Sequence, residues 1–90
     1  MTRLLYFTAA WCGPCRSYGP LLTREAEARG LRVERIDLDE VDGRSMALAH
    51  DVRSVPTVVA IRDGETVARF GTPAAGMLGG MLDDIARGSA

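Results

Sequence analysis

The sequence predicts an α/β domain: a four-stranded mixed β-sheet flanked by three helices, in the order β-α-β-α-β-β-α. Three observations carry that prediction. Two apolar runs, Arg3–Phe7 and Thr57–Ile61, are short and sharply bounded, as buried strands are. Apolar residues recur at helical spacing after each of them: Cys15, Leu22 and Ala26, then Leu78, Met81, Leu82 and Ile85. Asp63-Gly64 follows the second run and is a hairpin signal. Ninety residues, 47% hydrophobic and 26% charged, suit one domain spanning residues 1–90.

Arg3–Phe7 (Arg-Leu-Leu-Tyr-Phe) ends at Thr8-Ala9-Ala10 and reads as a buried strand. A helix follows Trp11-Cys12-Gly13-Pro14-Cys15 and runs to about Arg29. Pro14 suits its first turn, Pro20 should kink it, and Gly30 should stop it. Leu31–Leu38 alternates apolar and charged residues with one phase shift, so it is a second strand. A strand, a helix and a strand in this order predict a right-handed crossover and parallel pairing. Asp39–Asp42 is an acidic turn, and Asp42 or Ser45 is a candidate cap for a short helix through Met46–His50. Glu65–Phe70 should return antiparallel to Thr57–Ile61. Thr72 is the expected N-cap of the last helix and Pro73 its first residue. Gly79-Gly80 inside that helix costs about 1 kcal/mol per glycine. The tail Gly88-Ser89-Ala90 is expected to fray.

Charge and apolar content exclude two classes of function. The net charge is −1, and all eleven basic residues are arginine, so electrostatic binding of nucleic acid is not expected. No apolar run approaches the roughly 18 residues of a membrane span, and the first residues are too short an apolar run for a signal peptide.

The two cysteines, Cys12 and Cys15, are the chemical signal. A disulfide scaffold would use four or more cysteines spread along the chain. A structural zinc site needs four ligands, and beyond the pair there is only the distant His50. Inert burial fits poorly with the Gly-Pro between them, which forces a turn. What remains is a dithiol that becomes a disulfide and returns, the reading that a Cys-x-x-Cys beside a βαβ unit supports.

Trp11-Cys12-Gly13-Pro14-Cys15, Pro20 in the next helix, Val55-Pro56-Thr57, Asp63-Gly64 in the hairpin and Phe70-Gly71 before the last helix keep one order along almost the whole chain. On these residues the sequence resembles the thioredoxin family. The resemblance implies the thioredoxin fold, a cis peptide bond before Pro56, and no cofactor beyond the redox-active Cys12–Cys15 disulfide. It implies thioredoxin reductase or an equivalent electron donor, and disulfide-containing proteins as substrates. Two departures accompany it. Family members usually carry a further strand and helix before the strand that leads into the motif, whereas here that strand begins almost at Met1. Where the family commonly has a buried Asp, this chain has Tyr6, and the companion Lys appears as Arg35. Tyr6 and Arg35 are a candidate replacement polar pair, although Arg does not shuttle protons at neutral pH. Tyr6 reads equally well as an aromatic core residue with a locally satisfied hydroxyl.

The thiolate is the attacking species, and a helix start favours it. Cys12 is therefore expected to be the exposed nucleophile, and Cys15, one turn deeper, the resolving cysteine. Trp11 is expected to be a docking contact more than a core residue. By resemblance, Val55 offers its backbone to an extended substrate segment beside Pro56 and Thr57. Gly71 permits close approach and serves equally as a turn glycine. His50, Asp37, Asp39 and Glu40 read as solvated. The resulting expectation is a monomeric cytoplasmic protein-disulfide reductase. The alternatives are a glutaredoxin-like, glutathione-coupled reductant, suggested by size alone, and a non-catalytic thioredoxin-fold binding subunit of a larger enzyme.

Overall fold

In a computed structural model, which describes residues 1–74 and 76–88, the elements are β1 (Thr2–Thr8), α1 (Gly13–Glu27), β2 (Arg32–Asp37), α2 (Val41–Ala49), β3 (Thr57–Arg62), β4 (Glu65–Phe70) and α3 (Leu78–Arg87). They form one four-stranded sheet in the order β2-β1-β3-β4. β1 pairs parallel with β2, with Leu4 opposite Val33 and Tyr6 opposite Arg35. It pairs antiparallel with β3, which pairs antiparallel with β4. The register of β3 and β4 shifts between Ala60 and Ile61: Ala68 and Thr66 are their partners, and Val67 is the extra residue of a bulge.

Alternation along β1 decides the two layers. Leu4 and Tyr6 face α1 and α3, where they pack with Tyr18, Leu22, Ala26, Leu78, Leu82 and Ile85. Leu5 and Phe7 face the opposite side and pack with Ile36, Ala47, Val52, Val59 and Ile61. β2 explains its own phase shift in the same way: Val33 joins the first cluster and Ile36 the second.

The helix starts differ from expectation. α2 begins at Val41 with Glu40 at its N-cap, and neither Asp42 nor Ser45 caps it. Asp42 instead lies in the first turn, where its charge suits the helix dipole. The early start brings Gly43 so close to the Asp37 carbonyl that a Cβ there would overlap it. α3 begins at Leu78, not at Thr72-Pro73, with Met77 at its N-cap. Gly76, at φ +85, has a left-handed backbone that a helix does not accommodate, and Gly76-Met77 form a turn ahead of the helix. Leu78, Leu82 and Ile85 are buried as expected, whereas Met81 is only partly so. α1 continues unbroken through Pro20. The expectation for Ser89 and Ala90 lies outside the described residues; Gly88 closes α3 in the left-handed conformation.

Tyr6 and Tyr18 meet edge to face, with ring centroids 6.1 Å apart. The Tyr18 hydroxyl is buried and has no hydrogen-bond partner among the described residues. Burial first, and then its neighbour Tyr6, push its pKa from 10.0 up to about 12.

Two outcomes follow from this packing. Gly43→Ala should destabilise the chain by about 1–3 kcal/mol, because backbone has to move; urea unfolding measures it. Folding raises the Tyr18 pKa, so the stability associated with its neutral form is complete below pH 10.0 and is lost as pH rises through about 12. Tyr18→Phe should abolish that alkaline loss and equal the parent or gain up to about 1 kcal/mol at neutral pH. Chemical unfolding at neutral and alkaline pH measures both.

Candidate redox site

The site forms where the central strand of the sheet ends. β1 runs into a turn closed by a hydrogen bond from the Cys12 N–H to the Ala9 carbonyl, 3.1 Å. Cys12 is the N-cap of α1, with extended backbone, and Gly13 and Pro14 begin the helix. Pro14 has no N–H, and none is needed in a first turn. The Cys12 Sγ accepts a hydrogen bond from the Cys15 backbone N–H at 3.3 Å, as a capping side chain does.

Cys12 and Cys15 are joined as a disulfide, with their Cα atoms 5.3 Å apart. Both residues are 5% exposed, so the expected contrast between an exposed Cys12 and a deeper Cys15 is absent in this oxidised form. Ala9 and Val55 pack against the pair.

Trp11 is 69% exposed beside the disulfide. Its indole N–H donates to the Asp39 carboxylate at 3.1 Å. Asp39 is held in turn: its own N–H donates to the Asp37 carboxylate at 2.8 Å, and its carbonyl accepts from Arg44 at 3.1 Å. The acidic turn after β2 is therefore a support for Trp11 and not merely a solvated strand end. Trp11 and Asp39 are 28 positions apart, so no local pattern signals this bond.

Val55, which precedes Pro56 and Thr57, packs against the cysteine pair. The Val55–Pro56 peptide bond is cis. Val55 contacts the cysteine cluster, and the Thr57 hydroxyl donates to the Ser54 carbonyl at 2.7 Å. Gly71 comes alongside Pro56: a Cβ on it would lie 3.5 Å from the Pro56 carbonyl oxygen. His50 lies elsewhere, at the C-cap of α2, with its ring 6.2 Å from that of Phe7.

Tyr6 and Arg35 are neighbours across β1 and β2 but form no polar pair. Tyr6 is buried and turned under α1, where its hydroxyl donates to the Cys15 carbonyl at 3.1 Å. Arg35 reaches out to solvent and approaches the Asp37 carboxylate at 3.7 Å. The two residues share only the lining of a groove beside α1. Among the described residues no group of His, Cys, Asp and Glu side chains converges to hold a metal ion, and no helix is long and apolar enough to cross a membrane.

A helix-capping cysteine joined to a second cysteine within one turn, on this sheet, is the arrangement against which known proteins can be compared. The thioredoxin family model matches residues 1–79. The chain belongs to the thioredoxin family. Its sequence is 43% identical over 65 residues to the TPR repeat-containing thioredoxin TDX of Oryza sativa, a match covering 71% of this chain and 20% of that protein. It is 35% identical over 65 residues to a thioredoxin of Staphylococcus epidermidis, covering 72% of this chain and 62% of that one. The chain thus matches between a fifth and about three-fifths of these relatives' lengths. Thioredoxin O2 of Arabidopsis thaliana, solved in its oxidised state, superposes with a TM-score of 0.83 at 25% identity, covering 96% of this chain and 76% of that one. As a member of this family, the chain keeps the fold expected from its sequence while carrying a tyrosine under the cysteine helix.

That tyrosine is open to a direct test. Tyr6→Phe keeps the ring and removes the bond to the Cys15 carbonyl, and should cost about 0.5–1.5 kcal/mol in urea unfolding. An unchanged midpoint would mean that the hydroxyl adds nothing net to the first turn of α1.

Proposed function

We propose that the chain is a protein-disulfide reductase acting by dithiol–disulfide exchange through Cys12 and Cys15. The observation that carries this reading is the capping position of Cys12, whose sulfur accepts a hydrogen bond from the Cys15 N–H in the helix's first turn and is bonded to the Cys15 sulfur. In the reduced chain, N–H groups and the helix dipole at that position favour a thiolate over a thiol.

The Cys12 thiolate attacks one sulfur of a substrate disulfide. A Cys12–substrate bond forms, the substrate S–S bond breaks, and the other substrate sulfur leaves as a thiolate that takes a proton. Cys15, deprotonated, then attacks the Cys12 sulfur. The second substrate sulfur leaves and is protonated, and the Cys12–Cys15 disulfide results. Two electrons pass from the chain to the substrate, and an external dithiol donor, of the thioredoxin reductase type, restores the pair. Trp11, exposed beside the disulfide, and the backbone at Val55, next to Pro56, Thr57 and Gly71, are the surface on which an extended substrate segment would lie. The chain acts as a monomer in the cytoplasm on this reading and needs no cofactor.

Reduction of insulin disulfides by dithiothreitol, followed as turbidity, tests the activity. The parent should accelerate precipitation and Cys12→Ser should be no faster than dithiothreitol alone; equal rates for the two proteins would defeat the reading. Cys15→Ser should accumulate a covalent Cys12–substrate adduct on non-reducing mass spectrometry, and its absence would remove the resolving role from Cys15. Full biological activity of a double serine variant would favour the binding-subunit alternative, and dependence on glutathione with glutathione reductase would favour the glutaredoxin-like one.

A further inference from the structure

Between α2 and β3 the chain runs through residues 51–56, and this segment delivers Val55 to the cysteine pair. Its start is the end of α2. His50 is the C-cap of that helix, and Asp51 follows in the left-handed conformation, at φ +55. The Asp51 N–H donates to the Leu48 carbonyl at 3.1 Å and the Val52 N–H to the Ala47 carbonyl at 2.7 Å, the paired bonds of a Schellman cap. Glycine is the usual residue at the left-handed position, and an aspartate there meets a steric cost. The cap also leaves the His50 and Asp51 carbonyls without a helical N–H partner. α2 has no basic residue in its own last turn to answer them.

Arg69 supplies that cation from a different element. It lies in β4 opposite Val59, which packs with Ala47 and Val52. Paired residues share a face, so Arg69 rises on the α2 side of the sheet. Its guanidinium donates to both carbonyls, Nη1 to that of Asp51 at 3.4 Å and Nη2 to that of His50. A planar fork that spans two oxygens is a task for arginine, and a cation at a helix C-terminus suits the dipole. Just past β4, Gly71 comes to the other end of the segment, where a Cβ on it would lie 3.5 Å from the Pro56 carbonyl oxygen. Within the segment Arg53 pairs with Asp51 at 3.1 Å, but both side chains are largely exposed and water competes for the pair. Arg69 is exposed too, and such bonds add little net stability. What they determine is where the segment sits.

We propose that Arg69 is a positioning residue for substrate binding: by holding the His50 and Asp51 carbonyls, it fixes where the 51–56 segment sets the Val55 backbone beside Cys12 and Cys15. The inference rests on the protein-disulfide reductase reading above, in which an extended substrate segment lies along Val55. Backbone hydrogen bonds weaken steeply as distance and angle depart from their optimum, so a segment free to shift binds that substrate less well. A small disulfide pairs with no backbone and needs only the thiolate. Loss of Arg69 is therefore felt by an extended substrate and not by a small one. Arg69 touches neither the sulfurs nor the substrate on this account; it acts through the segment.

The test compares two disulfides in single-turnover reduction by the pre-reduced chain. One is a disulfide-linked pair of extended serine- and threonine-rich peptides, one bearing a fluorophore and the other a quencher. The other is dithiodipyridine, which is small and uncharged. In Arg69→Ala the peptide concentration that gives half the limiting rate should rise at least about fivefold, while the limiting rate and the rate with dithiodipyridine stay within about twofold of the parent. Adding Asp51→Gly to Arg69→Ala separates this effect from folding. Glycine at the left-handed position should return the urea midpoint to that of the parent and leave the peptide effect in place. Equal slowing of both disulfides, no change with the peptide, or a peptide rate that recovers together with the urea midpoint would each overturn the proposal. A parent no faster than dithiothreitol at equal thiol concentration would defeat the reductase reading and the inference with it. A parent that is faster but indifferent to Arg69 would defeat the inference alone.

Discussion

β1 has no solvent-facing side from Leu4 to Thr8, and the rest of the structure is arranged around that fact. Strands flank it on both edges, the α1–α3 layer covers Leu4 and Tyr6, and the opposite layer covers Leu5 and Phe7. A strand buried on both faces is a fixed rail. The chain leaves its end through a tight turn and enters α1 directly, so the position of Cys12 is inherited from the best-packed segment of the protein. Tyr6 strengthens the link from beneath by tying β1 to the carbonyl of Cys15. The reactive pair is thus held by the core.

Much of this was legible in the sequence, for identifiable reasons. Arg3–Phe7, Thr57–Ile61 and the Asp63-Gly64 turn are local signals, and all three appear as strands and hairpin within a residue or two. The Cys12–Cys15 spacing is likewise local, and the disulfide joins the expected partners. What escaped depends on distance or on competition between neighbours. Thr72-Pro73 has the chemistry of a helix start, but the left-handed Gly76 intervenes. Asp42 has the chemistry of a cap, but the N-cap is Glu40, two residues earlier. Asp39 serves Trp11 from 28 residues away, and both cysteines are equally buried in the disulfide form, which no pattern of residues displays.

Tyr6 and Arg35, expected as a polar pair, take different partners: Tyr6 the Cys15 carbonyl and Arg35 the Asp37 carboxylate. A carboxylate under the cysteine helix would bring a charge that burial opposes. A tyrosine there needs only one hydrogen-bond acceptor, and the Cys15 carbonyl supplies it. The phenol at that position holds backbone. Arg35, released from any partner inside, adds its charge to the groove along β2.

The bulge at Val67 has a consequence for assembly. It displaces one residue of β4 from the ladder, and bulges increase local twist and disturb the regular row of groups that a neighbouring chain would need. β2, at the other end of the sheet, carries no such irregularity in its pairing with β1. The sheet is therefore polar in its capacity to grow. The β4 edge is the poorer template for a further strand.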